Sequence, residues 1–306
     1  MNHQLPKYSD GVTLNLNELL QYKSQTVRWL PPAKSLWSQI NGQHQSRQLG
    51  RGMDFSEVRK YQAGDDIRTI DWRVTARTGK PHTKLFTEER ETPVVIYADI
   101  SNSMRFGSTL MLKSVQMAHM ASLIGWIAVE QRDRIGAVID TGSSLIDIKP
   151  TSRNRGPLQL LHQLVELHNS ELTKPEVTPQ PMDKGFNALK RLCPKGSEII
   201  FLSDFVRFEE QDIARLSQLR QHNRIQLIHF YDPLERGQTK YKGTEKVTNG
   251  QNTSWLNFSA KSTKKQLQEL FENKQETIKK VSRSLAIPYY SISSAEPLIY
   301  QIAGKQ

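Results

Sequence analysis

The sequence predicts an α/β protein built on an open, mostly parallel sheet with helices on both faces, preceded by an N-terminal helical and β-rich region. Short apolar runs rich in strand-forming residues (Val94–Ala98, Arg134–Ile139, Glu198–Leu202, Ile225–Phe230) alternate with longer stretches of helical period. Two of those runs stop at or just before an aspartate, in Ala98-Asp99 and in Leu202-Ser203-Asp204. In open sheets of this class, ligands sit beyond the carboxyl ends of the strands. The 306 residues have room for one large or two smaller domains, and the change in character near residue 92 divides them into 1–92 and 93–306.

In chain order, Leu16, Leu19, Leu20, Val27 and Leu30 have mixed helical spacing that ends at Pro31-Pro32, and a second helical piece runs from Ala33 to Ile40. Residues 46–92 are dense in Arg, Asp, Gly and aromatics, with a strand expected over Thr83–Thr87. Asp65, Asp66 and Asp71 there are read as turn and Arg-pairing residues, with Trp72 and Tyr61 as apolar anchors, in preference to a nuclease-like metal cluster. This region is either a small subdomain or a layer on the α/β domain. After the strand at 94–98 come a helix from about Thr109 to Glu130, the strand Arg134–Ile139, and a turn at Asp140-Thr141-Gly142 into Ser143–Ile148, expected as an antiparallel edge. Helices follow at about Leu158–Leu167 and Asp183–Leu192, then the strand at 198–202 and a helix over Glu209–Gln221. The strand Ile225–Phe230 leads into an irregular insertion near 231–259, with a hairpin tip at Asn249-Gly250. A long amphipathic helix carrying Leu267, Leu270, Phe271, Ile278, Val281 and Leu285 and a strand at Tyr289–Ile292 complete the order.

Composition narrows the function classes. With 37% hydrophobic and 24% charged residues, the chain has the balance of a soluble globular protein. Its longest apolar stretch, Met120–Val129, is too short to cross a bilayer, and the N-terminus lacks the layout of a signal peptide. The single cysteine, Cys193, excludes an intramolecular disulfide and a Cys-based zinc site and fits a reducing compartment, so a cytoplasmic location is expected. The net charge of +11 is spread along the chain and interleaved with acids, as in Thr87-Glu88-Glu89-Arg90-Glu91, which reads as a solvated surface or a match for an acidic protein partner and not as a specific nucleic-acid face.

The candidate chemistry lies in Asp99-Ile100-Ser101-Asn102-Ser103-Met104. A carboxylate and two alternate hydroxyls at a strand end suit a hard cation such as Mg²⁺, and equally suit a helix cap. Asp204 also follows an apolar strand and would project at the same end. Thr151 and Ser152, in the loop after the edge hairpin, are expected to reach it too.

These residues resemble the metal-ion-dependent adhesion site of von Willebrand factor A domains: Asp99, Ser101 and Ser103 match its D-x-S-x-S, Asp204 its later aspartate, and Thr151 its threonine, though Pro150-Thr151-Ser152-Arg153 departs from the usual glycine-flanked context. The chain further resembles the bacterial domain of unknown function 58 family, whose members accompany MoxR-type AAA+ ATPases. That likeness rests on Arg51-Gly52-Met53-Asp54-Phe55, Arg59, Tyr61, Gly64-Asp65-Asp66, Arg68, Ile70-Asp71-Trp72, Ala76-Arg77, Asp133-Arg134-Ile135-Gly136 and Leu202-Ser203-Asp204-Phe205, in order over roughly 46–230.

The resemblance implies a von Willebrand factor A-like fold and a non-enzymatic, metal-dependent interaction module acting with a MoxR-type ATPase in chaperone-like assembly or maturation of other proteins. Ser101, Ser103 and Thr151 would bind Mg²⁺ (or Mn²⁺ or Ca²⁺) directly, Asp99 and Asp204 largely through water, and a partner's carboxylate would fill the open position. A metal-dependent hydrolase using the same oxygens is the alternative. It would need a nucleophile or base beside the ion, and the sequence has no G-x-S-x-G, H-E-x-x-H or P-loop. Polyanion binding through the basic surface is the third possibility.

Overall fold

A computed structural model describes residues 4–24, 53–88, 91–175, 178, 180–239, 241–248 and 253–302. The expected helix at Ala33–Ile40 and the expected tip at Asn249-Gly250 lie outside them. The chain divides into two compact units, Met1–Ile40 with Thr92–Gln306, and Asn41–Glu91. The second junction, between Glu91 and Thr92, lies one residue before the expected boundary at 92/93. The described residues 4–24, however, group with the α/β unit and not with Asn41–Glu91.

The elements run β1 (Met53–Lys60), α1 (Trp72–Thr78), β2 (His82–Glu88), β3 (Pro93–Asp99), α2 (Lys113–Glu130), β4 (Arg134–Asp140), β5 (Leu145–Thr151), α3 (Arg155–Leu172) and α4 (Asp183–Leu192). They continue with β6 (Glu198–Ser203), α5 (Glu210–Arg220), β7 (Arg224–Tyr231), β8 (Thr244–Thr248), β9 (Thr253–Asn257), α6 (Lys261–Ser284), β10 (Tyr289–Ser293) and α7 (Leu298–Ile302). Residues 16–24 are also helical.

In the larger unit, six strands form one sheet in the order β10-β7-β6-β3-β4-β5. All neighbours are parallel except β4 and β5. β3 lies inside the sheet and is buried along its whole length. Its side chains alternate between two cores: Val94, Ile96 and Ala98 face α2, α3 and α7, while Val95 and Tyr97 face α4, α5 and α6. Burial on both faces explains why the strand reads as a continuous apolar run and not an alternating one.

The N-terminal segment belongs to the first core, because Leu14, Leu19 and Tyr22 are buried in it. Asn169 clamps Leu14 by accepting from its N–H and donating to its carbonyl, both at 2.9 Å, and Ser122 Oγ donates to the Leu19 carbonyl at 2.7 Å. α2 is therefore enclosed almost all round, and its polar residues face partners: Gln116 donates to the Ser293 and Glu296 carbonyls, and His119 meets Glu18 at 3.3 Å. The expected irregular stretch after β7 holds the β8–β9 antiparallel ladder, whose register from Thr244↔Asn257 to Thr248↔Thr253 brackets the expected tip.

The smaller unit is an antiparallel β1–β2 ladder with a bulge between Phe55 and Glu57, followed in chain order from β1 by a turn and α1. The structural reading of its three carboxylates agrees with the contacts. Asp65 accepts from Arg59 at 2.7 Å and from the Gln62 N–H at 2.8 Å, and the Arg59 bond holds it below the usual carboxylate range. Asp66 caps a 3₁₀ turn through the Arg68 N–H, and Asp71 caps α1 through the Arg73 and Val74 N–H groups. Trp72 is no buried anchor, since at the start of α1 it is 67% exposed.

Candidate functional site

The four interior parallel strands share one feature at their carboxyl ends. β3 and β4 end on Asp99 and Asp140, which are paired in register, and β6 and β7 are followed at once by Asp204 and Asp232. All four aspartates are buried. Because parallel strands deliver their last residues to one edge, four loops bring this row of carboxylates together, and each must find donors there.

Asp99 Oδ1 accepts from the Ser101 N–H at 3.0 Å and from Arg207 Nη2 at 2.9 Å, and Oδ2 accepts from Ser203 Oγ at 2.6 Å. The same Nη2 donates to Asp140 Oδ2 at 3.0 Å, which also accepts from the Tyr97 hydroxyl at 2.5 Å. Arg207 Nη1 donates to the Gln180 carbonyl at 3.0 Å. Asp204 Oδ2 accepts from Lys113 Nζ at 2.8 Å, and Oδ1 from the Val206 N–H at 3.0 Å. Lys113, the first residue of α2, also donates to Glu235 Oε1 at 2.6 Å. Asp232 accepts from the N–H groups of Ser108 and Leu234, both at 2.9 Å, from the Ser108 hydroxyl, and from Ser294 Oγ at 2.6 Å.

Charge follows these contacts. Burial pushes Asp99 up from the ordinary aspartate value despite Arg207 beside it, and pushes Glu235 up despite Lys113. Burial also works against ionisation of Asp204, but the Lys113 ammonium and the Val206 N–H bring it below its usual value. Desolvation disfavours the charged forms of Lys113 and Arg207, yet their carboxylates hold both above their ordinary values. Both cations therefore stay charged.

Of the five residues expected to ligate a metal, Asp99, Ser101, Ser103 and Asp204 come together. Ser101 and Ser103 place their hydroxyls 3.4 Å apart, and Ser103 bonds to the Asp204 carboxylate. Thr151 does not join them. β5 runs antiparallel to β4, with Leu145 opposite Asp140 and Thr151 opposite Ile135, so Thr151 lies at the amino edge, about 16 Å along the strands from Asp99. Ser152 follows it there.

The two carboxylates expected to hold Mg²⁺ through water are engaged by the chain itself. The ion demands near-octahedral oxygen ligation. Here both oxygens of Asp99 and both of Asp204 already accept hydrogen bonds, two of these from buried cations of the chain. Among the described residues, no cluster of three or more His, Cys, Asp or Glu side chains has the arrangement of a metal centre.

Arg207, Lys113, Asp140 and Glu235 were not singled out from sequence. Asp140 carries the same signal as Asp99, an aspartate ending an apolar strand, within a stretch that also reads as a turn. Lys113 is a cation inside the apolar stretch that opens a helix, and Arg207 stands three residues after a strand-end carboxylate. Beside Arg207 a cleft of about 190 Å³ opens, lined also by Asp140, Gly142, Ser143, Ser144 and Gln180.

Two histidines bear on catalysis. His229, paired in register with Ser203, is buried against Phe271 and contacts the Tyr289 hydroxyl at 2.6 Å; burial pushes it down to about 4. His168 meets Ser114 Oγ at 2.8 Å with both residues fully buried, and burial likewise pushes it down to about 4. The second is a Ser–His pair, but no substrate can reach it.

Fold and site define a mixed α/β protein whose mostly parallel six-strand sheet carries a buried, internally paired row of carboxylates at its carboxyl edge. Residues 57–279 match the family described as protein of unknown function DUF58, and the chain belongs to that family. It is 26% identical over 167 residues to the uncharacterized protein Mb1516 of Mycobacterium bovis and to the uncharacterized protein Rv1480 of Mycobacterium tuberculosis, a match covering 55% of this chain and 51% of each relative. The chain thus spans about half the length of the curated relatives it matches. Among solved structures it is similar to the conserved hypothetical protein BatB from Bacteroides thetaiotaomicron (TM-score 0.43, 15% identity, 69% of this chain and 96% of that one). It is also similar to an aerotolerance-related membrane protein from Bacteroides fragilis (TM-score 0.38, 13% identity, 64% and 98%). Neither score is high enough to carry an argument. Among the described residues, no helix is long and apolar enough to cross a membrane.

Proposed function

We propose that this protein is a von Willebrand factor A-like, non-enzymatic interaction module that acts with a MoxR-type AAA+ ATPase in chaperone-like assembly or maturation of other proteins. Membership of the DUF58 family and the ordered motifs around Asp99 and Asp204 support the reading. The observation that carries it is the carboxyl edge of the sheet. Asp99, Asp140 and Asp204 are held by cations of the chain, while the loops above them expose Val206 at 52% and Phe106 at 37%. Strand-end loops with exposed apolar side chains suit recognition of another protein's surface. A hydrolase would need a nucleophile and a base open to substrate, and both histidines described above are sealed.

The test is binding of the full chain to a purified MoxR-type ATPase of the same organism, measured for wild type and Val206→Asp. Binding weakened about tenfold or more in the variant, with unchanged thermal stability, is expected. Equal binding by both proteins, or none by the wild type, would refute the assignment.

A further inference from the structure

The two carboxylates at which an ion was expected are each held by a cation of the chain. Arg207 stands 2.9 Å from Asp99 and 3.0 Å from Asp140, and Lys113 stands 2.8 Å from Asp204 and 2.6 Å from Glu235. Two unit charges equal the charge of one divalent ion. We propose that this chain carries its own cations at the strand-end site, Arg207 and Lys113 acting permanently where a bound divalent ion would act, so that the site is independent of metal.

Neither cation is a surface side chain that could swing away. Arg207 is buried, and beyond its carboxylates it is fixed by the Gln180 carbonyl at 3.0 Å and lies 3.4 Å from the Tyr97 hydroxyl. Lys113 is fully buried, and its own N–H donates to the Phe106 carbonyl at 2.8 Å. The chain between the two acidic centres is shaped to keep them there. Phe205 adopts φ +55°, a left-handed conformation unusual for a bulky side chain, and buries its ring against Phe208 and His229. That turn lets Ser203 Oγ accept from the Phe205 N–H at 2.9 Å while donating to Asp99, aims Asp204 at Lys113, and returns Arg207 to Asp99.

The waters of an incoming Mg²⁺ would compete with a guanidinium and an ammonium for the Asp99 and Asp204 oxygens. The displaced cation would be left buried without a counter-charge, which is costly, and a divalent ion placed beside it would meet like charge. Thr151, the remaining expected ligand, lies at the opposite edge. This is the site where the interaction reading seats a partner, but the inference can be tested without one.

The experiment measures thermal stability of the full chain in EDTA and in excess Mg²⁺, together with Mn²⁺ binding by electron paramagnetic resonance, for wild type, Arg207→Met and Arg207→Lys. Wild type should bind no Mn²⁺ and shift its Tm by no more than about 1 °C. Arg207→Met should lose stability in EDTA and recover roughly 5 °C with Mg²⁺, because Asp99 and Asp140 then lack a cation; Arg207→Lys should need less Mg²⁺. A wild-type Tm raised roughly 5 °C by Mg²⁺, with the rise abolished in Ser101→Ala, would overturn the proposal. So would an Arg207→Met protein as stable in EDTA as wild type. If Arg207→Met does not fold, the wild-type Mn²⁺ and Mg²⁺ measurements decide.

Discussion

Replacing Lys113 with methionine tests how far the carboxyl edge depends on internal charge pairing. Methionine keeps most of the side-chain volume and helix preference, so the change is chiefly electrostatic. It leaves Asp204 Oδ2 and Glu235 Oε1 without the ammonium that now lies 2.8 and 2.6 Å away. At an effective dielectric near 20, each contact corresponds to roughly 6 kcal/mol of Coulomb attraction. The measured loss must be smaller, because the stranded carboxylates can protonate and because burying the lysine was itself costly. Broken buried pairs typically cost about 3–5 kcal/mol, which for a chain of this size lowers Tm by roughly 10 °C. The variant should also respond to pH in a defined direction. With the ammonium gone, the folded-state pKa of Asp204 rises above its unfolded value, and that of Glu235, already raised by burial, rises further. The folded variant then holds protons that the unfolded chain releases, and its stability falls as pH rises. The deficit should therefore be smaller at about pH 5 than at about pH 7.5, and Glu235→Gln in the same chain should recover part of it. Thermal denaturation followed by circular dichroism in EDTA at both pH values supplies the measurement. A Tm within about 2 °C of wild type at both would show that Lys113 is not balancing those carboxylates.

Two further outcomes address other parts of the larger unit. Glu198, at the opposite edge of the sheet, is pushed by burial up to about 7 from the ordinary glutamate value, even though Gln226 donates to it. Its folded form holds a proton that the unfolded chain gives up at lower pH, so stability falls by about 1.4 kcal/mol per pH unit between the two pKa values; Glu198→Gln should flatten denaturation midpoints between about pH 5 and 7, and an unchanged slope would count against the assignment. Gly185 of α4 packs on the Tyr97 ring, where a Cβ would lie 2.6 Å from Cε2; Gly185→Ala should push Tyr97 off Asp140 and cost about 1–3 kcal/mol by chemical denaturation, whereas a neutral change would mean that the ring moves freely.

Much of the sheet was legible because its strands are buried on both faces and stand out as unbroken apolar runs. The helix at Asp183–Leu192 and the strands at 94–98 and 198–202 were located to within a residue or two of their observed limits. The candidate site was legible only in part, for two different reasons. Thr151 was assigned to the wrong edge although its strand was correctly expected to be antiparallel. A strand that returns along its neighbour brings the chain back to the amino edge, so the loop after it cannot reach Asp99. Arg207 and Lys113 were missed because ion pairing is a relation between distant residues. Lys113 and Asp204 are 91 positions apart, and Arg207 and Asp99 are 108 apart. Nothing in the local pattern of either cation says which carboxylate it will meet. In the smaller unit the carboxylates were read correctly because their partners are near neighbours, as with Asp65 and Arg59.

The clamp between Asn169 and Leu14 spans 155 positions of sequence, and the unit Asn41–Glu91 is inserted in the chain between the clamped segment and the rest of the core it joins. During synthesis at about 5–20 residues per second, Leu14 must wait roughly 8–30 s before the helix that clamps it has been made. Until then Leu14 is an exposed apolar side chain that a holding chaperone could cover.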